Sequence, residues 1–425
     1  RTGGLIMQNK KYSINFVMLA ILAVSLLATG TRVAAQQEQI LHSLNSKIGT
    51  QPAASLVFDA AGILYGTAVY GGTHASGTVF EFTPKNGVWD AKSLHSFNNN
   101  GKDGTNPNGV MVSDAAGNLY GTTHEGGKYK CIDGCGTVFE LERKAGGKWA
   151  EKVLYSFNNN GTDGNYPDGG LIFDAAGNLY GTTAGGGANG HGAVFELTLQ
   201  PNKKWTDTIL HSFNVNGTDG YSPEAGLIFD AAGNLYGTTY EGGADSYGTV
   251  FELSPAGGGV WNETILHNFA NGTDGSEPEA SLVFDANGNL YGTTYRGGTD
   301  GSGMVFELTP AGGGVWNEAV LHSFGSGTDG ANPSAGLIFD SAGNLYGTTS
   351  ASAYNGGGTQ YDGMAFELTP AGGGNWTETV LHDFGVGTDG SNPYGALIFD
   401  SAGNLYGTTS SGGAYSGGTV FEITP

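Results

Sequence analysis

A phrase that returns seven times governs what this chain can fold into. FDAAGNLYGTT, built on Asp174, recurs with small changes at Asp59, Asp114, Asp230, Asp285, Asp340 and Asp400, at intervals of 55, 60, 56, 55, 55 and 60 residues. Each copy holds four short apolar runs separated by turn residues: LIFD, NLYGTT, GTVFEL and a Trp-led run ending in LHSF. Short runs of this kind between clusters of Gly, Asn, Asp and Pro read as strands. Asp-Ala-Ala-Gly-Asn joins the first two and Pro-Ala-Gly-Gly-Gly the last two, both of hairpin length. A longer link, carrying Thr-Asp-Gly-x-x-Pro in most copies, leads to the next unit. The composition agrees: 77 of 425 residues are Gly, far above the usual share of about 7%, as many turns and few helices require.

A four-stranded unit that is apolar on both faces cannot bury itself. Arranged radially, each sheet packs against two others, so the expected fold is all-β, a seven-bladed β-propeller of four-stranded blades. A linear solenoid would leave two end faces to be capped, and the chain ends argue for the ring. Ile40-Leu41-His42-Ser43-Leu44 copies the fourth strand and Gly418-Thr419-Val420-Phe421-Glu422 copies the third. The N-terminal strand is therefore expected to complete the last blade, which also removes open sheet edges. Trp89, Trp149, Trp205, Trp261, Trp316 and Trp376 each stand five residues before a fourth-strand Leu, and the seventh equivalent is Gln36.

Before the repeats, Met7 opens a segment with Lys10 and Lys11, an uncharged apolar run from Ile14 to Ala28, and Val33-Ala34-Ala35. This is the order of a secretory signal peptide. Residues 1–35 are read as that signal with a few upstream residues, and residues 36–425 as a single propeller, secreted or periplasmic. The alternative is an uncleaved anchor, for which the run is shorter than the ~20 residues a spanning helix needs. No later segment suits membrane insertion.

GNLYGTT, a Gly-rich loop and then GTVFEL resemble the GloVer tandem repeat of exported bacterial proteins. More distantly they resemble the propeller repeats of two-component sensor ectodomains. The resemblance spans residues 40 to 425 and implies a bacterial, extracytoplasmic propeller. It brings no catalytic residue set with it.

Polar residues that follow the repeat are read as scaffold. His42, His95, His211, His267, His322 and His382 share one fourth-strand position, with Tyr155 in place of the seventh His. Lying on separate blades, they cannot converge on one metal ion, whose bonds are about 2 Å. A strand-three Glu, at positions 81, 140, 196, 252, 307, 367 and 422, is expected to hydrogen-bond the His of the same blade. The strand-one Asp is expected to cap its turn. Asn-Asn-Asn-Gly-Thr-Asp-Gly around Asp163 admits calcium or a plain turn. No other cofactor is expected. Cys131 and Cys135, four apart in an exported chain, favour a local disulfide. A metal site with His124 is the alternative.

Function is sought where the copies disagree, chiefly in the loop between strands two and three. Its length from Tyr to Val is 14 residues in most copies, 18 in the second and 19 in the sixth. The loop carries His74, His124 and His191, and with them Tyr70, Tyr129, Tyr240, Tyr247, Tyr295, Arg296, Tyr354, Tyr361 and Tyr415. Hydroxylated rings amid Gly backbone suit sugar rings or a protein partner, or they roof the central channel. Arg296, the only Lys or Arg after Lys204, could meet a ligand carboxylate or neutralise a neighbour such as Asp300. The formal net charge of −22 excludes a nucleic-acid partner, which needs clustered Lys and Arg. Three classes remain. The favoured one is a binding or scaffolding module for glycan or protein. The second is a polysaccharide hydrolase or lyase using His124, His191, Glu125 and Glu241. The third is a structural envelope or matrix component. An enzyme requires acid and base groups converging on one pocket, whereas a binder can spread its aromatics.

Overall fold

The computed structural model describes residues 37–326, 329–352, 362–385 and 388–425. Strands dominate; among the described residues the one helical element is a single 3-10 turn, Gly272–Asp274. The third blade shows the plan. Its strands are Ile172–Phe173, Leu179–Thr183, Ala193–Leu199 and Trp205–Ser212, paired antiparallel in chain order. Seven such four-stranded sheets are present. In the last blade the outer strand is Gln37–Ser43, antiparallel to Thr419–Thr424 with Gln37 opposite Thr424 and Ser43 opposite Thr419. The chain ends close the ring. Among the described residues no helix is long and apolar enough to cross a membrane.

Two repeated contacts explain the repeated residues. Strand-three Phe195 lies over Gly181 of strand two, where a Cβ would stand 2.7 Å from the ring. The same Phe meets Phe157 from the preceding blade at 5.1 Å between ring centroids, edge to face. Phe213 with Phe251 and Phe269 with Phe306 repeat this contact at 5.2 Å. Around the axis, the first Thr of GTT donates to a carbonyl of the next blade's incoming link in every blade but the first. Thr182 Oγ1 bonds Ala225 O at 2.8 Å, Thr238 bonds Ala280 O at 3.2 Å, and Thr408 bonds Ala54 O at 3.4 Å across the closure.

The strand-one Asp does cap its turn: Asp174 Oδ1 accepts from the Ala176 and Asn178 amides, and its Oδ2 from Asn178 Nδ2 and the Tyr180 hydroxyl. The strand-three Glu departs from expectation. It stands opposite the strand-two Tyr and accepts that hydroxyl, as in Tyr180 to Glu196 at 2.9 Å. The fourth-strand His lies opposite Val194, beyond a register shift, so it cannot reach Glu196 in the same blade. At four seams its partner is the Asp of the outgoing link, as in His95 with Asp103 at 3.2 Å and His382 with Asp389 at 2.9 Å. At the odd copy Tyr155 donates to Asp163 at 2.9 Å.

Because Phe195 packs closely against Gly181, a methyl group there forces the ring out of its slot. Overpacking of this kind costs about 1–3 kcal/mol. Gly181→Ala is expected to lower the denaturation midpoint accordingly, measured by chemical unfolding; an unchanged midpoint would show that the contact is slack.

Candidate functional site

The link into each blade ends in a residue, a Pro and a second residue, and local geometry pins all three. Pro167 packs where a Cβ on Gly136 would stand, 2.4 Å from its Cδ. Pro223 relates to Gly192 in the same way at 2.5 Å. The residue before each Pro holds a positive φ: Gln51, Asn106, Tyr166, Ser222, Glu277, Asn332 and Asn392, all between 54° and 59°. Two backbone bonds hold it there. For Tyr166 these are its own amide to Cys135 O at 3.0 Å and the Ala184 amide to its carbonyl at 2.9 Å. The strain is thus confined to a segment whose neighbours leave it no alternative.

The consequence appears one residue after the Pro. Ala53, Asn108, Asp168, Glu224, Glu279, Ser334 and Tyr394, one from each link, line a depression of about 260 Å³ where the blades meet. Small residues, among them Ala54, Gly109, Gly169, Ala225 and Ala280, line the adjoining cavity of about 390 Å³. The link and the loop between strands two and three share this side, since Gly220–Tyr221 pairs with Glu241–Gly242.

Three consecutive links therefore present Asp168, Glu224 and Glu279 to one cavity. Burial pushes the Glu224 carboxyl up to about 7, with Asp168 adding to the rise and His124 opposing it. Burial likewise holds Glu279 up to about 8, reinforced by Glu224 and Glu277 against the pull of Arg296. Desolvation and like charge both disfavour the ionised form. Beside them, His124 Nδ1 lies 2.7 Å from Asp168 Oδ1, which also accepts from Asn108 Nδ2 at 3.4 Å. Burial pulls the His124 imidazole down, but the hydrogen bond and charge of Asp168 outweigh it and leave the ring raised. The ring stacks on Tyr166 at 4.9 Å.

Of the residues singled out in the variable loop, four have side chains that interact with the acids of this ring of links. His124 reaches Asp168. Tyr240 donates to Glu277 Oε2 at 3.0 Å. Arg296 pairs with Glu277 Oε1 at 3.3 Å and lies over the Tyr295 ring, so its acid is Glu277. Tyr295 feels Glu279 and Glu277. The others stand apart from the cavity. Tyr70, His74, Tyr129, Tyr247 and Tyr415 are exposed, Tyr415 most of all at 67%, and His191 packs against Tyr221 at 5.7 Å. Tyr354 and Tyr361 lie outside the described residues. Cys131 and Cys135 are disulfide-bonded with Cα atoms 5.0 Å apart. In the loop around Asp163, Asn160 Oδ1 accepts from the Thr162 and Asp163 amides, and Asp163 Oδ2 from Asn158 N and the Tyr155 hydroxyl.

Asp168, Glu224, Glu279 and Tyr394 are not among the residues that the sequence pattern brings forward. Their signal is nonetheless present, because the residue after the repeated Pro takes six identities in seven copies.

Solved structures share the architecture. A Bacteroides uniformis protein provisionally named a 6-phosphogluconolactonase is 16% identical, with a TM-score of 0.50 over 83% of this chain and 88% of its own. The extracellular domain of a provisionally assigned one-component system from B. thetaiotaomicron is 15% identical, with a TM-score of 0.53 over 91% of this chain and 42% of its own. An ulvan lyase, a polysaccharide lyase bound to a GlcA–Rha3S repeat, is 12% identical, with a TM-score of 0.52 over 88% of this chain and 94% of its own. At these identities the likeness extends to the fold alone. None of the curated proteins matches. The family model of the Gloeobacter/Verrucomicrobia repeat matches residues 29–228, 198–359 and 319–425 in turn, and the chain belongs to that family.

Proposed function

We propose that the protein is an exported binding module whose axial cavity takes a glycan. The observation that carries this reading is the convergence of Asp168, Glu224 and Glu279 on one cavity that also holds the Tyr394 ring. Carboxyls that are part ionised and part protonated both accept from and donate to sugar hydroxyls. A Tyr ring supplies the flat apolar face on which a pyranose stacks. The wider loop rim, with Tyr70 and Tyr415 exposed, serves as flanking surface.

One observation favours a second reading, general acid–base chemistry on the same glycan. Glu224 and Glu279 hold protons near neutrality beside a His124–Asp168 pair at 2.7 Å, and a proton donor beside a base is what hydrolysis or elimination requires. Release of reducing ends or unsaturated uronates by the wild-type chain separates this reading from binding alone.

A glycan array followed by titration of the best ligand tests the proposal. Glu224→Gln/Glu279→Gln and Tyr394→Ala are each expected to weaken binding at least tenfold, about 1.4 kcal/mol. Tyr415→Ala and His74→Ala should leave it unchanged. Binding that survives at the cavity variants and is lost at Tyr415 would move the site to the rim.

The acids also set the pH response of stability. In the unfolded chain a Glu carboxyl ionises near 4.3, whereas in the folded protein Glu224 and Glu279 do so at about 7 and about 8. Between those values the unfolded state binds fewer protons, so their contribution to stability is complete at low pH and is lost as pH rises through 8. Glu279→Gln lacks that loss. Its melting temperature should exceed that of the wild type at pH 8 and converge with it near pH 4, and parallel curves in thermal melts would contradict the assignment.

A further inference from the structure

We propose that the seams between blades three and four and between blades five and six are binding sites for a divalent transition-metal ion of the zinc class, ligated by His211, Asp219 and Glu263 and by His322, Asp329 and Glu378. The first site draws His211 from the outer strand Trp205–Ser212, Asp219 from the following link and Glu263 from the outer strand Val260–Asn268 of the next blade. Its repeat equivalent two blades along draws His322, Asp329 and Glu378 from the same three places. An ion bound there would tie adjacent blades together at the rim, away from the axial cavity.

The distances carry the argument. His211 Nε2 lies 3.4 Å from Asp219 Oδ2 and 3.5 Å from Glu263 Oε1. His322 Nε2 lies 3.2 Å from Asp329 Oδ2 and 3.7 Å from Glu378 Oε1. Hydrogen bonds from an imidazole run about 2.7–3.2 Å, so the longer spacings are poor ones. A tetrahedral zinc ion with bonds of about 2.0–2.2 Å spaces its ligand atoms at about 3.4 Å. The first seam is the clearer case. His211 Nε2 and Glu263 Oε1 are both fully buried atoms without a hydrogen-bond partner, and such groups are costly to leave unsatisfied. Asp219, whose Oδ2 faces the same nitrogen, has a side chain only 8% exposed and a second oxygen with no donor.

Related His, Asp and Glu groups occur at three further seams, with His95, with His267 and with His382. There, as at His322, the His lies within hydrogen-bond range of its Asp, at 3.2, 3.1 and 2.9 Å, but among the described residues only His211 and His322 also come within 4.0 Å of the Glu from the next blade. The repeat also supplies two natural controls. Between blades two and three Tyr155 replaces the His, and it bonds Asp163 directly. Across the closure Ala91 stands where Glu263 does, and His42 packs on Phe82 at 5.2 Å. The fold therefore accepts both a Tyr and an Ala at these positions.

The untagged chain, stripped with a chelator, would be dialysed against Zn²⁺ and its metal content counted, and titrated with Co²⁺ to read the visible absorption of tetrahedral coordination. At least two ions per chain are expected, with the intense Co²⁺ band. His211→Tyr/His322→Tyr, which copies the Tyr155 seam, should lower the count by two. Glu263→Ala/Glu378→Ala, which copies the Ala91 seam, should weaken Co²⁺ at least tenfold. Failure of the wild type to retain zinc would overturn the proposal. So would an equal count in the folded His variant.

Discussion

The burial of the strand-three Phe between two blades is the constraint on which the rest of this structure depends. Phe195 is fully buried; its own blade supplies Leu179, Leu197 and a Gly that leaves room for the ring. The other wall is Phe157, from the blade before. A single unit therefore leaves one side of this ring uncovered, and the apolar area is recovered only when a neighbour docks. Each blade needs the next. The Thr hydroxyls that donate to the next blade's link, to Ala225, Ala280 and Ala54, make the same demand in hydrogen bonds.

A ring built this way has one seam where chain ends meet, and that seam is packed differently. Elsewhere the outer contact between blades is polar, a His or Tyr on a link Asp with an acid from the following blade. At the closure the link reads Ile48-Gly49-Thr50, Leu44 takes the place of the Phe, and Ala91 that of the acid. Leu41, Ile48, Trp89 and Ala91 gather around the buried Leu44 and Phe82. Burial alone then pulls the His42 imidazole down, since no carboxylate stands against it. An apolar clasp suits the junction, because the strand Gln37–Ser43 must find Thr419–Thr424 from the far end of the chain, and a contact without charges tolerates approach without strict orientation.

The fold was legible because its cause is periodic. Seven copies of FDAAGNLYGTT fix the number of blades, and the split between Ile40-Leu41-His42 and Val420-Phe421-Glu422 fixes the closure. The partners of His and Glu were not legible, because they depend on register. The shift between Val194 and Phe195 places His211 past the reach of Glu196 and turns it toward the seam, and no residue type in the strand announces it. The axial site was harder still. The loop after GTT draws attention by changing length, whereas Asp168, Glu224 and Glu279 are single substitutions beside a constant Pro.

That Pro also explains why chemistry can collect at the axis without unsettling the ring. The residue before it is pinned by backbone bonds from both neighbours, as Tyr166 is by Cys135 and Ala184, and the Pro ring fills the space over a Gly that could carry no side chain. The position after it projects into the cavity and contributes to no strand. It tolerates Ala53, Ser334 and Tyr394 as readily as three acids. Burial raises Glu224 and Glu279, and acids on the adjacent links raise them further, so the clustering of acids on three consecutive blades is unfavourable for folding. Scaffold requirements do not ask for it, since the same position in the other four blades carries no charge. A cost borne at one sector of the axis, where nothing in the packing demands it, is what separates a site from a repeat.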